Sequence, residues 1–334
     1  MPLKVTWKKG MRLSTDVFNS LDSTIDENIR LTTLVGTAGR YGLFPTIRPF
    51  ELSVNINNNI LEVVSLSCHG VTKSGKLVDI EFDSNYTVTF DTRVPIPAVN
   101  GDSAFILVVK MKDKEWREVT ETHSEPFYTF ELVGENNIID NDSLPIGCVV
   151  NQYGWRLNET DFVPPCLYVG AHRMFMELLD RAKAIFRAIS DRCLNAQNCI
   201  ARYLLSLIWS EILSAYITLD KERNSVTPEQ LYALVQKVIG AFVIGCSIDE
   251  HVSLENADPF VRYIQKPYDA RHIYRDIEDG LELAADISVK MDAVCNMTEP
   301  QEIPVEKPRQ KTPQPPVQET KQETGRNRWA GIEI

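Results

Sequence analysis

Apolar and polar positions along the chain follow two different periods, and the change falls near residue 165. From about residue 44 to that point, apolar residues alternate with polar ones in short runs rich in Val, Ile, Phe and Thr. Such alternation predicts strands, and no helical pattern separates them, so we expect an antiparallel sandwich. The expected strands are 52–56, 60–66, 78–82, 86–90, 105–111, 127–133 and 146–150, with a turn at 57–59.

Beyond residue 165 the apolar positions recur with the helical period of 3.6, as at Met174, Leu178, Ala182 and Ile185. A second helix, apolar at seven of the ten positions 204–213, is expected to be buried nearly all round. A third begins at a capping box from Thr227 to Gln230, and a fourth follows Asp269. These four helices predict a bundle. A single earlier helix is expected within 16–35, ahead of the glycine-rich stretch 36–42.

The pattern therefore predicts an α+β protein in three parts. Residues 1–165 form a β-sandwich domain with an N-terminal segment and helix, and residues 166–298 form a four-helix bundle domain. Residues 299–334 carry six prolines and no apolar periodicity, which is typical of a disordered tail. Trp329, Ile332 and Ile334 end that tail, either as a peptide that docks on a partner or as incidental residues of a solvated segment.

Charge narrows the possible partners. The chain has 46 acidic and 35 basic side chains, a net charge of −11, and the tail is neutral, so the acidity lies in residues 1–298. We therefore expect neither nucleic-acid binding nor docking on anionic lipid. Segment 199–219 is long enough to span a membrane but carries Glu211 near its middle, which favours a core helix over direct membrane insertion. The start of the chain has no secretory signal, and seven scattered cysteines without a C-x-x-C pair indicate reduced thiols and a cytoplasmic location.

Motifs for chemistry are weak. Residues 70–77 fit G-x-x-x-x-G-K, but Leu77 stands where a phosphate loop needs Ser or Thr, and a strand pattern follows instead of a helix. We interpret this string as a hairpin turn. The five histidines form no H-x-x-x-H pair, and there is no G-x-S-x-G. We expect no catalysis, no metal and no cofactor.

Five strings, in order along the chain, resemble the TssK family of type VI secretion baseplate subunits. They are 5–13 (VTWKKGMRL), 144–146 (LPI), 161–167 (DFVPPCL), 227–232 (TPEQLY) and 267–272 (PYDARH). The chain departs from the family pattern at Lys9, which replaces a usual Glu, and at 14–18, where the family commonly has Pro-Gln-His-Phe. The family's C-terminal head domain would begin near residue 300, where this chain has the Pro-rich tail.

The resemblance implies a cytoplasmic homotrimer at the inner face of the bacterial inner membrane. Its sandwich, called the shoulder, would bind the baseplate wedge proteins TssF and TssG. In the family a C-terminal head reaches the membrane complex, and our own hypothesis is that the tail of this chain contacts a membrane-anchor component in its place. The residues expected to contact the wedge are Trp7, Gly10, Met11, Leu13 and Phe18, and those expected at the domain junction are Phe162, Pro164 and Pro165. The residues expected in the bundle core or the trimer contact are Leu178, Ile185, Ile189, Leu234, Val238, Ile277 and Ala284. Trp329, Ile332 and Ile334 are expected to dock the tail.

A different class of function stays open at this point. A sandwich of phage-tail type could instead recognise a receptor or carbohydrate, which would need exposed aromatic side chains on a concave face. Trp116 and Tyr128 are the candidates for that role.

Overall fold

A computed structural model describes most of the chain up to Thr298. The described residues are 8–9, 11–12, 14–83, 90–98, 103–120, 123–196, 199–219 and 225–298, and side chains are described for all of these except 113–120 and 123–125. The described residues up to Thr298 belong to one compact unit, and Glu299–Ile334 lie outside the described residues.

Helix α1, Thr15–Gly36, precedes a five-stranded antiparallel sheet. Its strands are β1 Gly42–Leu43, β2 Glu51–Asn57, β3 Ile60–Val71, β4 Leu77–Phe82 and β5 Arg93–Pro95. The long strand β3 pairs with each of the other four. Asn58 and Asn59 join β2 to β3 with φ values of 52° and 59°, the left-handed conformation that a tight two-residue hairpin requires and that Asn tolerates.

A second antiparallel sheet packs face to face on the first. Its strands are β6 Ser103–Thr120, β7 His123–Gly134, β8 Ser143–Asn151 and β9 Trp155–Leu157, in the order β7-β6-β8-β9. Leu107, Tyr128 and Leu144 of this sheet share one apolar core with Cys68 and Ile80 of the first. The two layers also join by a hydrogen bond, because the Tyr128 hydroxyl donates to the Asp79 carbonyl over 2.9 Å. The antiparallel sandwich predicted from the alternating pattern is confirmed.

Four long helices and one short helix follow. They are α2 Arg173–Asn195, α3 Arg202–Leu219, α4 Pro228–Ile248, α5 Asp258–Gln265 and α6 Ile273–Cys295. Each long helix packs on two others, since α2 contacts α3 and α6 while α4 contacts the same two. The predicted capping box at α4 is present, with the Thr227 hydroxyl accepting from the Gln230 amide and the Gln230 side chain accepting from the Thr227 amide.

Several elements were not predicted. The two-residue β1, the three-residue β5 and β9, and the eight-residue α5 are too short to leave a periodic signal. The predicted strand 86–90 lies almost wholly outside the described residues. The second helix is also more exposed than expected, because one face of α3 is open to solvent and only the other faces are covered.

The glycine-rich string 70–77 is the end of β3, a tight turn and the first residue of β4. Gly75 has φ = +86°, which explains a glycine in the turn. The interpretation as a hairpin turn is thus confirmed. Among the helices in the described ranges, α4 alone is long and apolar enough to cross a membrane, but 56% of its most apolar window is buried, as in a core helix.

The sandwich and the bundle join where β1 meets the chain leading to α2. The Leu43 amide donates to the Pro165 carbonyl and the Leu43 carbonyl accepts from the Leu167 amide, both over 2.7 Å. Leu43 therefore forms a parallel bridge with Cys166. Pro164 and Pro165, expected at this junction, are both buried there. Because proline has few backbone conformations, the approach of this segment to β1 costs little additional entropy.

The same junction has a second contact on the outer side of the second sheet. Phe162 packs on a small apolar cluster that includes Ile106, Val108 and Cys148. Beside it, the Asp161 carboxylate pairs with Arg275 of α6, which lowers the pKa of Asp161. These contacts surround a cavity of about 160 Å³ between the sheet and the start of α6.

Replacement of Gly42 by alanine is expected to weaken this junction. Gly42 has φ = +130°, and a Cβ atom there would lie 2.5 Å from the Pro165 carbonyl carbon and 2.7 Å from the Cys166 nitrogen. We expect Gly42→Ala to lower the free energy of unfolding in urea by at least about 2 kcal/mol, since strain and clash both act. Gly36→Ala is the control, because no atom lies within 4 Å of its added carbon. Equal stability of the two variants would contradict this account of the junction.

Candidate interaction surfaces

The residues predicted to contact the wedge fall only partly within the described chain. Trp7, Gly10 and Leu13 lie outside the described residues. Met11 is half-buried, and Phe18, on the first turn of α1, is 46% exposed. Phe18 is thus a large apolar side chain that the rest of the described chain does not cover.

Phe18 begins a line of apolar side chains along α1. Leu21, Ile25 and Ile29 follow it at steps of three, four and four residues, which places all four on one side of the helix. Ile25 and Ile29 are each 46% exposed, and Leu21 is half-buried. We call Phe18, Leu21, Ile25 and Ile29 the α1 stripe. A helix with such a stripe normally packs it on a core, whereas none of the side chains of α1 is buried against the residues described.

The C-terminal half of α1 is attached to the turn between β3 and β4. The Arg30 guanidinium donates to the Ser74 carbonyl over 3.0 Å and forms a two-point ion pair with Glu27. The helix approaches this turn closely, since a Cβ atom on Gly75 would lie 2.5 Å from Leu34 Cγ and 2.8 Å from the Arg30 carbonyl oxygen. The β3–β4 turn, whose sequence resembles a phosphate loop, is therefore the place where α1 is attached to the first sheet.

The residues predicted for the bundle core or trimer contact lie in the interior of the single chain, with one exception. Leu178, Ile189, Leu234, Val238, Ile277 and Ala284 are buried among α2, α4 and α6. Ile185 is half-buried and packs against the same core. These positions hold one chain's helices together, so any contact between chains must use other residues.

The sequence did not reveal a second apolar surface, on α3 and α4. Its large exposed residues are Tyr203, Trp209, Leu213 and Ile217 of α3 and Ile244 and Ile248 of α4. We call these six the α3–α4 face. The other exposed positions of α3 between Tyr203 and Ile217 are serines, and the one charged residue of this part of the helix, Glu211, is half-buried. The only signal in the sequence was that α3 is apolar on all sides, which we interpreted as burial.

The other predicted sites have different outcomes. Trp329, Ile332 and Ile334 lie outside the described residues, as does the side chain of Trp116. Tyr128, the other aromatic residue considered for ligand recognition, is 4% exposed and packs inside the sandwich. That expectation was wrong, because Tyr128 lies on the face of β7 that meets the first sheet.

The cysteines and His172 occupy structural positions within the described chain. No three His, Cys, Asp or Glu side chains in these ranges lie close enough together to hold a metal ion. All seven cysteines are free thiols, and burial raises the pKa of Cys148 and Cys193 to about 12. His172 caps α2, its Nδ1 accepting from the Met174 amide over 3.3 Å. Burial, with a smaller contribution from Arg173, lowers the pKa of His172 to about 4.

Several solved structures resemble this fold. A crystal structure of TssK matches with a TM-score of 0.58 and 12% identity over 86% of this chain and 69% of its own. A chain of the type VI secretion baseplate complex matches with a TM-score of 0.57 and 14% identity, over 86% of this chain and 99% of its own. A chain of the TssK-TssF-TssG baseplate subcomplex, determined by cryo-electron microscopy, matches with a TM-score of 0.53 and 13% identity. The match covers 86% of this chain and 99% of that one.

These matches define a class of protein in which a β-sandwich and an α-helical bundle share one chain. Among the solved structures that have this fold are structures of TssK, from the type VI secretion system. The resemblance based on five short strings is thereby confirmed at the level of the fold. No family model and no curated protein matches the sequence.

The buried cap of α2 predicts a loss of stability in acid. The pKa of His172 is depressed in the folded state, so its contribution is complete above the unfolded pKa of about 6.5 and is lost as pH falls toward 4. Between pH 7.5 and pH 5 we expect about 2 kcal/mol of destabilisation from this residue. His172→Asn replaces the capping ring nitrogen with a side-chain oxygen that can also cap the helix but cannot titrate. Urea unfolding should therefore show a smaller pH dependence in the variant, and equal dependences would contradict the assignment.

Proposed function

We propose that this chain is a non-catalytic structural subunit of a type VI secretion baseplate. The observation that supports the proposal is the fold, which matches TssK structures over 86% of the chain, including chains from baseplate assemblies. A baseplate subunit works by binding neighbours, and the surfaces this chain offers are apolar. The proposed location follows from this role, in the cytoplasm at the inner face of the bacterial inner membrane.

The sandwich end of the chain binds the wedge formed by TssF and TssG. Trp7, Gly10, Met11, Leu13 and Phe18 are the proposed contacts. The exposure of Phe18 supports this role, because large apolar side chains that can be buried at an interface supply most of its binding energy. The net charge of −11 makes a protein partner a better match than nucleic acid or anionic lipid.

The chain forms a homotrimer through the α3–α4 face. A cyclic trimer needs two different patches that meet in the same way around the ring, and two neighbouring helices can supply one patch each. Leu213 and Ile217 of α3 would meet Ile244 and Ile248 of the next protomer's α4. The neighbouring serines are uncharged, so removing water from this face costs less than it would with charged side chains in their place. An obligate contact of this kind buries on the order of 2,000 Å² or more.

The C-terminal segment carries the contact on the membrane side. Trp329, Ile332 and Ile334 are large apolar residues at the end of a Pro-rich segment that has the composition of a disordered tail. A short peptide of this kind can bind a groove on another protein while the linker before it spans the distance. The proposed recipient is a component of the membrane anchor.

Light scattering on the full chain tests the trimer. We expect a mass three times the chain mass of 37.9 kDa, and we expect the double variant Leu213→Glu, Ile217→Glu to reduce it to a single chain. Both residues are exposed in the single chain, so its own fold should survive. The matched control is Ile47→Glu with Ile138→Glu, two apolar residues that are almost fully exposed elsewhere. A monomeric wild type, or a trimeric Leu213→Glu, Ile217→Glu variant, would contradict the proposal.

Removal of residues 325–334 tests the wedge contact and the membrane-side contact separately. We expect the shortened chain to co-purify with TssF and TssG as well as the full chain does, and to lose binding to the membrane-anchor component. Trp329→Ala should have a similar effect through the loss of one anchor side chain. If the full chain fails to capture TssF and TssG, the baseplate assignment is wrong. If the deletion loses no contact, the tail has another role.

A further inference from the structure

The unusual feature of α1 is that it is a long helix without a core. It has 22 residues, and none of its side chains is buried against the described part of the chain. Isolated helices of this length gain little stability from backbone hydrogen bonding alone, and proteins normally stabilise them by packing an apolar face. The apolar face of α1 exists, as the α1 stripe, but the described residues do not bury it.

The attachment of α1 turns the stripe away from the β3–β4 turn, because Arg30 and Leu34 lie on the other side of the helix. Arg30 and Leu34 are the residues that contact the turn at Gly75, while Phe18 and Ile25 lie between about one and four turns nearer the N-terminus. The helix is therefore held at its C-terminal half and projects its N-terminal half away from that contact. Such an arrangement presents the stripe for binding and does not cover it.

The surface beside the stripe fits another helix. Ile25 and Ile29 border a shallow groove whose other lining residues are Asn28, Thr32 and Thr33. A ridge of large side chains next to a groove of smaller ones is the surface into which a second helix packs its own ridge. The stripe covers about three turns, from Phe18 to Ile29.

The charges on α1 indicate the partner's charge. The helix carries four acidic side chains, Asp16, Asp22, Asp26 and Glu27, and a single basic one, Arg30. Asp22 and Asp26 are on the side of the stripe, both are exposed, and Glu27 is already paired with Arg30. A partner helix with Lys or Arg beside its apolar residues would complement them, whereas an acidic partner would be repelled.

We propose that the α1 stripe binds an amphipathic helix of the TssF–TssG wedge whose apolar face is bordered by basic residues. This inference rests on the proposed function and extends it, because it assigns Leu21, Ile25 and Ile29 to the wedge contact and states the form and charge of what they bind. The contact is helix on helix, with the isoleucines at its centre and Asp22 and Asp26 at its edge.

A matched pair of substitutions tests the apolar part. Ile25 and Leu31 are 46% and 43% exposed on the same helix, but they lie about 120° apart around its axis. In the full chain, Ile25→Asp should weaken binding to purified TssF–TssG about tenfold or more, and Leu31→Asp should change it less than about twofold. Circular dichroism verifies that both variants are folded. Equal affinities of the two folded variants would overturn the proposal.

A second pair tests the charge. Asp22→Lys with Asp26→Lys should weaken wedge binding and reduce its dependence on salt. Glu250→Lys with Glu255→Lys makes the same change in net charge on an exposed loop and should do neither. If the two pairs behave alike, the edge contact is not electrostatic and the proposal fails.

Met11→Asp distinguishes this inference from the proposed function. Met11 belongs to the proposed wedge contact but not to the α1 stripe. If Met11→Asp weakens capture of the wedge while Ile25→Asp does not, the stripe inference is wrong and the baseplate role stands. If the unsubstituted chain does not bind the wedge, both are wrong.

Discussion

The pair of backbone hydrogen bonds at Leu43 connects the two halves of this molecule. Leu43 pairs with β3 on one side and with the segment 165–167 on the other, so one residue belongs to the sheet and also to the approach to the bundle. The segment continues to Val169, whose amide donates to the Val226 carbonyl just before α4. The first sheet, the junction and two helices of the bundle are thus positioned by a short run of main-chain contacts, and Gly42 permits the approach on which they depend.

Long elements were predictable because they have a repeating environment. A strand that alternates between core and solvent, or a helix with one buried face, records that environment in its sequence several times over. The strand β1 has only two residues, and it exists because β3 and the junction segment both have main-chain groups to pair with it. Nothing local in Gly42 and Leu43 indicates these distant partners, so no sequence pattern could have revealed the strand.

The sequence predicts which apolar side chains are buried, but it does not predict whether their own chain or a second chain covers them. The periodicity of α1 and the apolar character of α3 both predict that side chains leave water. Core positions of α2, α4 and α6 such as Leu178, Val238 and Ile277 are covered by their own chain, whereas the α1 stripe and the α3–α4 face are not. One amino-acid sequence contains no information to separate these cases, because the same residues serve a core and an interface. The turn at Gly75 was predictable from the sequence, but the close approach of α1 to that glycine was not.

The attachment of α1 at one end has a mechanical consequence. The sandwich and the bundle share a continuous core, so they respond to an applied load as one stiff body. Helix α1 buries no side chain among the described residues and contacts the turn at Ser74 and Gly75, so we expect it to yield to a load more readily than the body of the chain. A neighbour bound along its free half could shift in angle against the rest of the subunit without breaking either core. The sandwich and the bundle would thus carry the load, while α1 would accommodate changes in the angle of a bound neighbour.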